Sequence, residues 1–212
     1  IIKSPVEIAP QTNLSPFAVN ANETMAVTTF NQFDNGVRHI YEASFINTGM
    51  ELSSAKHGMK SLSYIPIGEP FPNIGEQYAA SFPALADNGN SIYFAAYNLP
   101  GGYGGFDLWV IYKQGTGWTQ PQNLGPNINT AGDEISPSIA TNGQLYFSSD
   151  HHKGFGGQDV FRAIKQGGVW KQVRNLGNKV NSSFDDQYFV YDAVKRAGYF
   201  ASNRDGYNKI YH

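Results

Sequence analysis

Two glycine runs in the chain each end on an aspartate. The first, GGYGGFD, spans Gly101–Asp107, and the second, KGFGGQD, spans Lys153–Asp159. Glycines leading to a carboxylate suit three chemistries: a phosphate cradle, a calcium-binding turn, or a hairpin corner. A cradle needs the glycines to open a helix whose N-terminal amides face the phosphates. Here the runs open onto DLWVIY and DVFRAI, which read as strands. Calcium turns of the G-G-x-G-x-D type repeat in direct tandem and stack into a β-helix. The first run has one residue too many before its aspartate, and the two aspartates lie 52 positions apart. The hairpin corner remains. Glycine supplies positive φ there, and Asp107 and Asp159 accept hydrogen bonds from loop amides in the manner of an Asx turn. Tyr103, Phe106 and Phe155 then stand at the loop tips as binding candidates.

A second group of residues could do chemistry. Asp133/Glu134 and Asp185/Asp186 are acidic pairs ahead of apolar strands, while Ala79/Ala80 occupy the corresponding place once. If these strands line a central channel, the pairs converge at its mouth. Hard cations such as Ca²⁺ or Mg²⁺ take oxygen ligands of this kind. The competing roles are capping of backbone amides, or a hydrolase pair, which needs two carboxylates roughly 5–10 Å apart beside a sugar-binding cleft. His151 and His152 are adjacent and point to opposite sides of an extended chain, so they read as a solvated loop. No G-x-S-x-G elbow occurs. The arginines do not recur at one repeat position, as a site for a substrate carboxylate would require.

The elements that position these residues repeat. FPALADNGNSIYFAA (Phe82–Ala96) matches SPSIATNGQLYFSSD (Ser136–Asp150), each with an Asn-Gly hairpin signal. DLWVIYKQGTGWTQPQNLGP (Asp107–Pro126) matches DVFRAIKQGGVWKQVRNLGN (Asp159–Asn178). Trp118 and Trp170 recur with Tyr64 and read as core between units. Weaker copies flank these two, and in them His39 and Lys209 replace the strand-three aspartate. The expected units cover about residues 15–72, 79–126, 133–180 and 186–212, the last completed by Ile1–Pro10, whose pattern matches the fourth strand. Unit length is that of a four-stranded propeller blade. The expectation is a single all-β domain over 1–212: a four-bladed β-propeller of antiparallel blades, closed by the N-terminal strand. The segment Asn47–Ser61 reads as an enlarged loop in the first blade.

DEISPSIATNGQLYFSSDHHKGFGGQDVFRA (Asp133–Ala163) resembles the TolB-type, WD-like β-propeller repeat. With NLGPNINTAGDE (Asn123–Glu134) ahead of it, it is similar to propellers of OmpA-family and type IX secretion-associated envelope proteins. The likeness is strong over about residues 79–203 and weak before them. It implies a non-enzymatic module that binds protein partners in the periplasm or at the outer membrane, within a longer protein. Peptidoglycan binding in that family belongs to a separate C-terminal domain, which this sequence does not contain.

Composition narrows the functional classes. Charged residues make up 15% of the chain against about a quarter in ordinary soluble domains, and the net charge is −2. No basic cluster offers a footprint for nucleic acid. No stretch approaches the roughly 18 apolar residues of a membrane-spanning helix. The absence of cysteine excludes disulfides, thiolate metal sites and a cysteine nucleophile, and suits a bacterial envelope protein. The start at Ile1, without Met or signal peptide, reads as that of a processed or excised piece. The expected function is non-catalytic binding without a cofactor. Its alternative is a carbohydrate-active propeller using the channel-mouth carboxylates.

Overall fold

The computed structural model describes residues 79–192 and 195–212, together with four strands of the N-terminal part. Those strands are β1 (Ala18–Val19), β2 (Met25–Asn31), β3 (Arg38–Ser44) and β4 (Ser63–Pro66), paired antiparallel in chain order. The expected closing strand Ile1–Pro10 and the expected loop Asn47–Ser61 lie outside the described residues.

Three further antiparallel sheets follow. The second contains β5 (Ala79–Ala86), β6 (Ser91–Tyr97), β7 (Phe106–Gln114), β8 (Gly117–Trp118) and β9 (Gln122–Asn123). The third contains β10 (Glu134–Ile139), β11 (Leu145–Ser149), β12 (Asp159–Gln166) and β13 (Val169–Asn175). The fourth contains β14 (Asp186–Asp192), β15 (Ala197–Ser202) and β16 (Lys209–Tyr211). A 3₁₀ turn at Asp87–Gly89 carries the first Asn-Gly hairpin. Pro121, which lacks an N–H, falls between β8 and β9. In the third sheet Val173 stands at that place and β13 runs unbroken.

The sheets stack through their leading strands. β5 packs against β1 and β2 on one side and β10 on the other, and β10 packs against β14. A single parallel bridge, Arg38 with Ala79, also joins the first and second sheets. Sheets so arranged are covered on both faces, which is why β6 and β7 are almost continuously apolar. Between the second and third sheets, Tyr93, Leu108 and Val110 meet Leu145, Phe147, Phe161 and Trp170. Tyr93 and Trp170 form an edge contact with centroids 6.2 Å apart. Tyr146, Val160, Phe189 and Phe200 fill the space between the third and fourth sheets.

One asparagine clasps the second sheet, and another the third, to the loop that leaves it. Asn129 accepts from the Leu108 N–H at 2.8 Å and donates to the Leu108 carbonyl at 2.9 Å and to Asn123 Oδ1 at 2.8 Å. Asn181 repeats the pattern on Val160 and Asn175. It supplies the acceptor that the Val160 N–H lacks in the ladder, while the Val160 carbonyl also accepts from the Leu176 N–H at 3.1 Å. Asn181→Ala strands the buried Val160 N–H, while the Val160 carbonyl keeps the Leu176 N–H, so we expect a loss of about 1–3 kcal/mol in urea-unfolding stability, with Asn129→Ala behaving alike at Leu108.

Candidate functional site

Both glycine runs and both acidic pairs stand at the same end of the sheets. Glu134 pairs with Ser149, and Ser149 with Asp159, so the start of β10, the end of β11 and the start of β12 share one edge. The loop 98–105 touches the segment before β10 through Gly105 N–H to Gly132 O at 2.9 Å. The loop 150–158 meets the segment before β14 in the same way, with Gln158 N–H donating to Asp185 Oδ1 at 3.0 Å.

Glycine is required in these runs chiefly for close approach. Gly101 has φ +91°, but Gly104 and Gly156 have ordinary φ. A Cβ on Gly104 would collide with the backbone of Thr130 and Ala131, and one on Gly156 with that of Ser182 and Ser183. Positive φ, the reason the sequence suggests, therefore explains little of the run. Contact between neighbouring loops explains most of it.

The aspartates that end the runs pin the tips. Asp107 is buried, and its Oδ2 accepts from the Tyr103 N–H at 2.7 Å. Asp159 is buried too, and its Oδ2 accepts from the Phe155 N–H at 2.8 Å and the Gly156 N–H at 3.1 Å. In each case the residue whose amide is held is the residue whose ring is presented. Tyr103 is 50% exposed and Phe155 54%. Burial pushes the Asp107 carboxyl above its ordinary value, against the hydrogen bonds from Tyr103 and Gly104. Phe106, expected at a tip, turns inward instead. It packs edge-on to Phe82 at 6.3 Å and against Tyr97 at 5.8 Å.

The acidic pairs divide their work. Asp133 and Asp185 are half-buried and accept the amides of Phe106 (2.7 Å) and Gln158 (3.0 Å) from the preceding sheet. Glu134 and Asp186 have no solvent exposure. Glu134 accepts from the Thr130 N–H, the Thr130 hydroxyl and the Ser149 hydroxyl, each at 2.7 Å. Asp186 accepts from the Ser182 N–H at 2.6 Å and pairs with Arg204 at 2.6 Å. Among the described residues, no group of three or more His, Asp or Glu is arranged to hold a metal ion.

Two substitutions along the repeat acquire a physical meaning. His152 is no solvated loop residue, since its Nε2 lies 2.8 Å from the Ile128 carbonyl and its ring packs on Phe147 and Phe161. In the fourth sheet Arg204 takes the corresponding place, reaching the Val180 carbonyl. Lys209, which replaces the strand-three aspartate, exchanges charges with its loop. Asp205 now sits in the loop and accepts from Lys209 Nζ at 2.8 Å and the Tyr211 hydroxyl at 2.9 Å. These bonds, chiefly that from Lys209, hold the Asp205 carboxyl below its ordinary value. His39 lies in β3, whose side chains are outside the described residues.

Sequence reasoning missed Tyr207. It is 61% exposed at the tip of the β15–β16 loop, 52 positions after Phe155. The interval from Tyr103 to Phe155 is also 52, and that equality is the signal that would have found it. The aromatic tip recurs in three loops of one face, with exposed Phe184 beside them.

The comparisons with known proteins bear on the fold. No protein-family model matches the chain, and no curated protein matches it. Among solved structures the chain is similar to one from an analysis of two prolyl endopeptidases, at 16% identity and a TM-score of 0.51, covering 94% of this chain and 25% of that one. A Hadza microbial sialidase follows at 13% identity and TM-score 0.46, covering 94% of this chain and 45% of that one. A Penicillium chrysogenum alpha-L-arabinanase complexed with arabinobiose gives 14% identity and TM-score 0.46, covering 92% of this chain and 58% of that one. The chain thus spans a quarter of the first structure and under two thirds of the others. The first likeness is one of fold alone, and it transfers no chemistry.

Two measurements check the buried acids Glu134 and Asp186, which act as staples at the starts of β10 and β14. Burial raises the Glu134 carboxyl from its ordinary 4.5, outweighing the hydrogen bonds from Thr130 and Ser149. The folded state therefore holds this proton more tightly than the unfolded one. Its contribution to stability is full below pH 4.5 and is lost as pH rises through the folded value. Glu134→Gln should flatten that part of the decline in urea midpoint above pH 4.5. Arg204→Ala leaves Asp186 buried without its charge partner, and should lower stability by about 3–5 kcal/mol at neutral pH.

Proposed function

We propose that the chain is a non-catalytic binding and scaffold module for a protein partner, and that the glycine-loop face is what it presents. One contrast carries this reading. The carboxylates of that face are engaged by backbone amides, hydroxyls or Arg204, while aromatic rings stand exposed on loops whose amides are pinned. A hydrolase needs the reverse, with free carboxylates in a cleft. Rigidly held aromatic side chains lose little freedom on binding and are common anchors of protein interfaces. The resemblance of the repeat to envelope propellers makes the cell envelope the proposed setting, with a longer protein around the module.

The proposal extends to closure of the ring. The fourth sheet has three described strands, and its outer strand β16 leaves Ile210 74% exposed. Ile1–Pro10 has the pattern of a fourth strand and would cover it. In the other sheets Trp109 pairs with Asn123 and Phe161 with Asn175, which sets Glu7 opposite Tyr211. The chain has no cysteine to interfere. Glu7→Cys with Tyr211→Cys should therefore form an intrachain disulfide under mild oxidation, seen as a mobility shift reversed by reductant. A free thiol pair in the folded protein would count against closure.

Binding itself is tested by crosslinking from envelope fractions with two baits, the unaltered chain and a Tyr103→Ala/Phe155→Ala/Tyr207→Ala variant. We expect a crosslinked partner that the variant loses while its melting temperature changes little. Turnover of a glycan by the unaltered chain, abolished in Glu134→Gln or Asp186→Asn, would refute the non-catalytic reading.

A further inference from the structure

Charge is distributed unevenly between the two ends of the sheets. Apart from Asp87 and Asp192, every carboxylate side chain among the described residues stands at the glycine-loop end. The bases at that end are Lys153, Lys179, Arg204 and Lys209, and two of these are already in ion pairs with Asp186 and Asp205. The opposite turns carry Lys113, Lys165, Lys195 and Arg196. A chain with a net charge of only −2 thus presents one acidic face. Among the described residues eight carboxylates stand there against four bases, and the unpaired ones nearest solvent are Asp150, exposed, with Asp133 and Asp185, half-buried. Asp107 and Asp159 each keep one buried oxygen, Oδ1, without a hydrogen-bond partner.

The aromatic tips stand within this acidic field. The molecule shows what such a ring accepts, because Lys209 Nζ lies over the Tyr207 ring at 4.7 Å from its centroid. An ammonium or guanidinium over a tyrosine or phenylalanine face is attracted by the ring quadrupole. Tyr103 and Phe155 offer the same face, half-exposed, on loops fixed by Asp107 and Asp159. The sign of the field disfavours phosphate-bearing occupants, both nucleic acid and anionic lipid.

We infer that the glycine-loop face docks a Lys/Arg-rich segment of the protein partner, drawn in by the one-sided carboxylates and gripped over Tyr103, Phe155 and Tyr207. This rests on the binding-module reading and adds the chemistry of the partner. The other occupant that charge permits is a second copy, whose basic turns could face these carboxylates head to tail.

The test uses the full chain and two synthetic peptides of equal length, one alternating Arg and Lys with Gly and Ser, the other with Asp and Glu in place of the bases. Titration followed by fluorescence anisotropy should give saturable binding of the cationic peptide alone, weakening as salt rises. Tyr103→Ala/Phe155→Ala/Tyr207→Ala should weaken it about tenfold at constant salt. Asp150→Asn, which keeps an acceptor for the Asp133 N–H, should weaken it severalfold. Lys195→Glu, at the opposite end, should leave it unchanged. Equal binding of both peptides, or full binding by the aromatic-tip variant, overturns the inference. So does concentration-dependent self-association that Lys195→Glu reverses, which would make the second copy the occupant. If a crosslinked partner depends on the tips but the cationic peptide does not bind, the module reading stands and the partner chemistry falls.

Discussion

At the start of β10 and of β14 a carboxylate leaves water entirely, and each of its oxygens must then find a donor or the fold loses several kcal/mol. Much of the glycine-loop end is organised around that requirement. Glu134 draws Thr130 from the incoming loop and Ser149 from the end of the adjacent strand. Asp186 draws Ser182 and Arg204 from the same two places. The acid thus fixes where an innermost strand begins relative to its neighbour. Sheets covered on both faces need such a device, because their nearly continuous apolar strands give weak register information of their own. The second sheet solves the problem without charge, with Ala80 and Ala96 at the equivalent places, both buried. Three solutions at one position show that the requirement is geometric and that the chemistry meeting it is free to vary.

The next layer depends on this one. With the strand starts fixed, the segments before β10 and β14 approach the preceding glycine loops closely enough to exclude a Cβ. The loops are therefore held from two sides, by the neighbouring sheet and by their own aspartate. A surface loop ordinarily owes its mobility to few contacts. These have many, and the ring each presents is held by the backbone amide behind it. Rigidity arises here without apolar packing of the tip, which leaves the ring free for a partner.

The repeat made much of this legible. The copies from Phe82 to Asn178 locate two sheets, their Asn-Gly hairpins, the inter-sheet tryptophan at Trp170 and the corner role of Asp107 and Asp159. The remainder was hidden for identifiable reasons. Tyr207 sits in a loop three residues shorter between Ser202 and Lys209 than between Ser149 and Asp159, and it lacks the glycine pairs that draw the eye. His152 reads as a loop residue until its role at the Ile128 carbonyl is set beside that of Arg204 at Val180, an equivalence of position between unlike side chains. The innermost strands also carry bulges at Phe82, Ser136 and Tyr188, with φ of +53°, +51° and +56°. Sequence patterns assign positive φ to glycine or asparagine, so a bulky residue there gives no warning.

Those bulges couple the buried acids to the aromatic contacts between sheets. A side chain in the left-handed region costs about 1–3 kcal/mol and persists only where its surroundings overdetermine it. Here the surroundings are the staples, since each bulge lies two residues beyond the buried position at Ala80, Glu134 or Asp186. The re-aimed side chains of Phe82 and Tyr188 belong to sheets on either side of the third, yet their rings meet at 5.8 Å. Phe82 continues through Phe106 to Tyr97, forming an aromatic path from the leading strands to the glycine-loop edge. The strain thus serves contact between sheets that share no hydrogen-bonded ladder. The register fixed by the buried acids is transmitted to the surface as the fixed orientation of aromatic rings.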